Sequence, residues 1–172
     1  MNYYIEKPII LYKKTSVEMA RVIAFLKDDD APAEVKRMAY IMFRNESANG
    51  QSGICNNYCG FQADSGRWQA DFDKLIEGVV VKTENGTGKQ RLFLAFYSIN
   101  GCLSMLLNRV QGRGLFVGGT TSKIWNRKII NSTDLARAYK KEWVIGDVKA
   151  EPNATELKNF LSMYKQASTL FL

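Results

Sequence analysis

Apolar residues fall at helical spacing in some stretches of the chain and run together in others. Val35, Met38, Ala39, Met42 and Phe43 stand at i, i+3, i+4, i+7 and i+8, one face of a helix. Asp30 is placed to cap that helix, Pro32 suits its first turn, and Glu34 complements its N-terminus. Ile99, Cys102, Leu103, Leu106 and Val110 predict a second amphipathic helix, which ends before Gly112 and Gly114. An earlier helix is predicted from Thr15, where Thr15 and Glu18 have capping-box spacing, to about Lys27. Ser132 is placed to cap a helix through Trp143, and Asn153 with Glu156 opens a last one that runs to about Ser168. Between these lie "GVVVKT" (78–83) and "QRLFLAFYS" (90–98), two strands joined by "ENGTGK", whose Asn85-Gly86 is a hairpin signal. Residues 47–70 are expected to be irregular, and "GLFVGGTTSKIW" (114–125) to be a loop or short extended piece. The pattern predicts one α+β domain over residues 1–172, mostly helical, with a hairpin inserted around 78–98.

Continuing the series from Val35 by eleven positions reaches Glu46, where the core face meets a Gly- and Asn-rich stretch. On that stripe, over Met42 and Phe43, the carboxyl is expected to be partly desolvated, which disfavours its charged form and raises its pKa. A glutamic acid protonated near neutral pH is what a general acid requires. The plainer alternative is a glutamate fraying into water at a helix end.

Composition narrows the chemistry. The chain has 172 residues, 46% hydrophobic and 24% charged, an ordinary globular balance. It contains no histidine, so Ser-His or Cys-His nucleophile pairs and His-containing zinc sites are excluded. Cys55, Cys59 and Cys102 are too few for a four-thiolate site. Cys55 and Cys59 are spaced for a local disulfide, and all three can equally be reduced apolar residues. No apolar run is long enough to span a bilayer, and "MNYYIEKPIILYKK" does not read as a signal peptide. From Lys82 to Lys141 there are eleven Lys or Arg against Glu84 and Asp134, a net +9 within a total of +7. That segment either attracts a polyanion or is simply a solvated basic surface.

The stretch "NESANGQSGICNNYCGFQAD" resembles the lysozyme-like superfamily, in which a Glu-Ser pair ends a helix. It resembles in particular the bacterial glucosaminidase branch, with Glu46-Ser47, Asn56-Asn57-Tyr58 and Gly60-Phe61-Gln62 in the places of that branch's motifs. "KTENG" is similar to its hairpin, and "FLAFYSINGCLSMLLNRV" to its strand leading into a helix, with Phe93, Phe96 and Ser98 matching. The resemblance covers roughly residues 34–111. Three departures are evident: Gln62 stands for a lysine, as in the transglycosylase-like version, Leu94 stands for an arginine, and Thr83-Glu84 lacks an intervening residue.

The resemblance implies a mostly helical lysozyme-like fold whose small β-hairpin lobe flanks a substrate cleft. Glu46 would then protonate the oxygen of a β-1,4 bond between amino sugars of peptidoglycan, without metal or cofactor. Glu84 is the first choice for a second carboxylate, Asp64 follows, and Asp71 and Asp73 are further candidates. Ser47, Asn57, Tyr58, Gln62 and Tyr139 are candidate substrate contacts, with Asn56 an alternative to Asn57. Each has a bland counterpart: a helix-end hydroxyl for Ser47, turn positions for the asparagines, packing for the tyrosines. Trp68, Trp125 and Trp143 offer faces for sugar stacking or for the core. The expected partners are peptidoglycan strands, drawn in by the basic segment, and an immunity or inhibitor protein if the chain is an exported toxin. The expected place of action is the cell wall, reached by a secretion system or a phage, with no membrane insertion. A lytic transglycosylase uses the same acid, and a nucleic-acid-binding module would use the basic segment alone.

Overall fold

The computed structural model describes residues 2–3, 6–63, 68–84, 86–121 and 126–172. Its elements run β1 (Asn2–Tyr3), β2 (Lys14–Thr15), α1 (Met19–Asp28), α2 (Ala33–Ser47), β3 (Gly53–Ile54), β4 (Trp68–Gln69), α3 (Ala70–Asp73), β5 (Ile76–Thr83) and β6 (Gln90–Phe96). There follow α4 (Ile99–Gly112), β7 (Thr120–Thr121), β8 (Arg127–Lys128), α5 (Ser132–Tyr139), a π-helical segment (Lys140–Ile145) and α6 (Ala154–Leu170). The fold is α+β, with small antiparallel sheets among helices. None of the described helices is long and apolar enough to cross a membrane.

The chain divides into two compact units: residues 1–22 with 43–105, and residues 23–42 with 106–172. The division cuts α1 after Val22, α2 after Met42 and α4 after Met105.

In the first unit, β5 and β6 pair through Val79↔Leu94 and Val80↔Phe93, with a register shift between Ile76 and Gly78. The hairpin expected at 78–98 is therefore present and begins two residues earlier. Asn85, half of its turn signal, lies outside the described residues. Both edges of the pair are extended. Pro8 and Ile10 bond in parallel to Val79, through Val79 N–H to Pro8 O and Ile10 N–H to Val79 O, both at 2.9 Å. A Cβ on Gly78 would sit 2.5 Å from the Pro8 oxygen, so this edge requires glycine there. On the other edge Ala63 N–H donates to Leu92 O and Leu94 N–H to Phe61 O. Cys55, Val80 and Ala95 form a buried cluster under Ile10, Ile54 and Phe93.

The second unit packs α6 beside the start of α2. Tyr40 meets Phe171 edge to face at 5.7 Å, Tyr164 Oη donates to Glu34 at 2.7 Å, and Arg37 donates to the Phe171 carbonyl. The capping box predicted at Asn153 and Glu156 forms in both directions, and α6 continues two residues past Ser168. The helix expected from Ser132 to Trp143 is capped by Asn131 and changes to π geometry after Tyr139.

Candidate catalytic site

The apolar face of α2 is buried from Val35 to Phe43, as its spacing predicts. At the last turn the stripe passes to Ser47, which is completely buried, and Glu46 is exposed. This corrects the expected partial burial of Glu46 above Met42 and Phe43. Ser47, four residues after Phe43, continues the edge of the buried face, and its small hydroxyl takes the inner place because its bonds are satisfied there.

Ser47 Oγ donates to Phe43 O at 2.5 Å and accepts from Gly50 N–H at 2.8 Å. Ala48, Asn49 and Gly50 are left-handed, with φ of 49°, 56° and 84°, and reverse the chain at once. Arg44 fixes the turn through Asn49 Oδ1 at 2.8 Å. Gly50 O accepts from Val17 N–H, and a Cβ there would lie 2.3 Å from Val17 O, so no larger residue fits. Thr15, expected to cap α1, instead pairs with Gly53 in the β2–β3 ladder, and α1 begins four residues later.

A second tight turn follows. Ile54 and Asn57 exchange both backbone bonds around Cys55 and Asn56, each with positive φ, the pattern of a type I′ hairpin. Asn56 Nδ2 donates to Phe96 O at 3.0 Å. Asn57 is buried: its amide donates to Phe61 O and Leu94 O, both at 2.9 Å, and its oxygen accepts from Cys59 N–H and Phe61 N–H. Tyr58 is 2% exposed and packs on Phe43 at 5.4 Å. Burial pushes its phenol up, against a hydrogen bond with Thr15. Ser47, Asn57 and Tyr58 thus take the structural alternatives set beside sugar contact: a helix-end hydroxyl, a turn amide and a packing ring. Gln62 is exposed on the edge beside Phe93.

Glu84 lies just beyond β5. Its carboxylate accepts from Thr87 Oγ1 at 2.7 Å and pairs with Arg91 at 3.3 Å. The Thr87 hydroxyl, then Arg91 and Lys89, hold it below the usual carboxylate range, so it is an anion at neutral pH. The sequence reading missed Thr87 and Arg91. The signals were present: Thr87 follows Glu84 by three residues in a turn, and Arg91 stands opposite Lys82 in the ladder.

Asp64 and Trp125 lie outside the described residues. Asp71 is exposed, and Asp73 is tied to Lys7 Nζ at 3.1 Å and to Trp68 Nε1 at 3.1 Å. Trp68 is buried, and Trp143 carries Arg113 over its ring at 4.9 Å. Tyr139 belongs to the second unit, 7% exposed against Phe160. The three cysteines are free and buried. Cys59 is hydrogen-bonded to Cys102 rather than joined to Cys55; this bond and burial push its thiol well up, and the Glu46 carboxylate adds to the rise. Comparison with protein-family models, curated proteins and solved structures gives no match.

Proposed function

We propose that the chain cleaves β-1,4 bonds of bacterial peptidoglycan glycan strands, with Glu46 as the general acid. One observation carries the reading beyond the sequence resemblance. Among the described residues, every non-glycine residue with positive φ — Ala48, Asn49, Cys55 and Asn56 — lies within ten positions of Glu46. Such conformations cost about 1–3 kcal/mol each and cluster where a site must be held in one geometry. The two turns that contain them lock the end of α2 to the Asn56-Asn57 segment, with the exposed residue Glu46 beside them.

In this reading Glu46 gives its proton to the bridging oxygen as the C1–O bond breaks. In lysozyme an apolar pocket raises the pKa of the acid glutamate. Here Glu46 is an exposed residue, so the drying has to come from the bound glycan. Glu84, anionic and anchored, stabilises positive charge at C1, while water adds there and loses its proton to solvent or a carboxylate. The basic segment draws anionic wall material toward the protein.

A second reading is supported by the engagement of Glu84 with Arg91 and Thr87 and by Gln62 in the Gly-x-Gln position. It is lytic transglycosylation, in which a hydroxyl of the sugar, in place of water, attacks C1. The deciding experiment treats purified peptidoglycan with wild type and Glu46→Gln and analyses the fragments by mass spectrometry. Water-derived reducing ends identify hydrolysis, and anhydro ends identify transglycosylation. Full activity in Glu46→Gln removes the assignment.

A further inference from the structure

Six charged side chains of the second unit, Arg127, Lys128, Asp134, Arg137, Lys141 and Glu151, line a cavity of about 200 Å³. We propose that this cavity binds a single phosphate group, and that the Glu151 carboxylate rests in the place such a group takes. The inference is separate from glycan cleavage and stands or falls without it.

Local structure brings the charges together. The β7–β8 pair sets out Arg127 and Lys128, and Ile129 N–H bonds back to Gly119 O. Asn131 caps α5 by accepting from Asp134 N–H at 2.9 Å, which places Arg137 one turn beyond Asp134. Lys141 follows on the π-helical segment, a geometry often found at functional sites. Its side chain is only 11% exposed, so the ammonium sits at the cavity wall with its stem buried.

Glu151 supplies the internal anion. One of its oxygens lies 2.5 Å from Lys141 Nζ and the other 3.7 Å from Arg137 Nε. Lys141 first, and Arg137 after it, hold this carboxyl below the usual range, as a site selective for negative charge would. Glu151 is itself 55% exposed, on the chain leading into α6, and can swing outward without disturbing the core.

Charge selects the ligand. Four cations face two carboxylates, a net +2 that matches the charge of a phosphate monoester near neutral pH. Guanidinium and ammonium together suit phosphate oxygens. Asp134, also in the lining, keeps one oxygen on Ile130 N–H at 3.2 Å. A continuous polyanion would set its neighbouring phosphates against Asp134 and Glu151, whereas one terminal group meets the cations alone. The volume lies below the roughly 300–1,000 Å³ of cavities that take drug-sized ligands.

The test titrates the full chain with inorganic phosphate at fixed ionic strength and follows backbone amide signals of residues 127–141 by NMR. Saturable shifts are expected, weakened about tenfold in Arg137→Gln through loss of a charge-assisted bond. Glu151→Gln should tighten binding about threefold or more, because the resident competitor loses its charge. Both side chains are half exposed, so both variants should fold. A hexose 1-phosphate arm separates the sources: equal affinity means that the free ion suffices, and tighter binding means that the carrier is also recognised. Shifts that merely follow ionic strength overturn the proposal, as does Glu151→Gln binding no tighter than wild type. Single-stranded DNA whose affinity grows with length and falls steeply with salt would also overturn it, by showing a track for polyanions.

Discussion

The Ser47 hydroxyl bridges two turns of backbone, accepting the Gly50 N–H at 2.8 Å while donating to the Phe43 carbonyl. With Ser47 completely buried, no water can replace it. Ser47→Ala therefore leaves the Gly50 donor without its side-chain acceptor, at a cost of about 1–3 kcal/mol. Urea unfolding measures that loss. Because the same bridge closes the turn after Glu46, the proposed role of Glu46 predicts that kcat on peptidoglycan falls more than KM rises. A variant within about 0.5 kcal/mol of wild type, the range of ordinary surface changes, would mean that the bridge does not hold the turn.

Asn57 and Gln62 make a contrasting pair in the same motif. Asn57→Leu removes four hydrogen bonds to backbone groups of Cys59, Phe61 and Leu94. The expected loss is about 3 kcal/mol or more, since several buried groups are orphaned together. Gln62→Ala, at an exposed edge position, should stay within about 0.5 kcal/mol of wild type. If Gln62 touches glycan, its replacement raises KM without changing stability. Equal stability losses in the two variants would contradict this division between scaffold and surface.

Much of this arrangement was legible in the chain, and the losses have physical causes. The stripes of α2 and α4 follow a repeat set by helix geometry, so their core faces could be read directly. The Asn153–Glu156 box uses only neighbours in sequence and formed as expected. Thr15 offered the same local signal at α1, yet it pairs with Gly53, because a ladder partner some forty residues away outweighed a cap. Periodicity selects Glu46, yet Ser47, about 100° further round the helix, is the residue taken inside, where both of its hydrogen bonds are made. Cys55 in a left-handed turn was not foreseeable from propensity, since it depends on the bonds that Asn56 and Asn57 make to β6. The change to π geometry at Lys140 accompanies two ion pairs to residues ten and sixteen positions on, Lys141–Glu151 and Lys140–Glu156, and no local pattern announces it.

Glu84 makes a pH prediction with a definite sign. Its folded pKa is depressed, so its stabilising contribution is complete above the ordinary glutamate range and is lost as pH falls through the folded value. Thr87→Ala removes the largest cause of the depression, and carboxyl carbon NMR should show Glu84 titrating at higher pH. If the anion of Glu84 assists cleavage, the acid limb of kcat/KM moves upward with it. A limb that stays in place while the NMR titration shifts would remove Glu84 from the reaction and favour a mechanism with Glu46 alone.

The thiol arrangement predicts which disulfide forms under oxidising conditions. Cys55 Sγ points to Leu11 O at 3.4 Å, so the local pair with Cys59 suggested by sequence spacing is not the one brought together. Cys102 Sγ lies 3.4 Å from Tyr58 N and is hydrogen-bonded to the Cys59 thiol. In the reduced protein all three thiols should resist alkylation until the chain unfolds, because they are buried and the Cys59 thiolate is disfavoured. Slow equilibration with oxidised glutathione should join Cys59 to Cys102: the two thiols lose their protons and two electrons, and glutathione disulfide is reduced to two thiols. Closing the 43-residue separation between them constrains the unfolded chain by about 4 kcal/mol, which corresponds to a rise in Tm on the order of 10 °C. Cys102→Ser should abolish the gain and Cys55→Ser should leave it intact. A mass-mapped Cys55–Cys59 bond, or an oxidised protein no more stable than the reduced one, would refute this pairing.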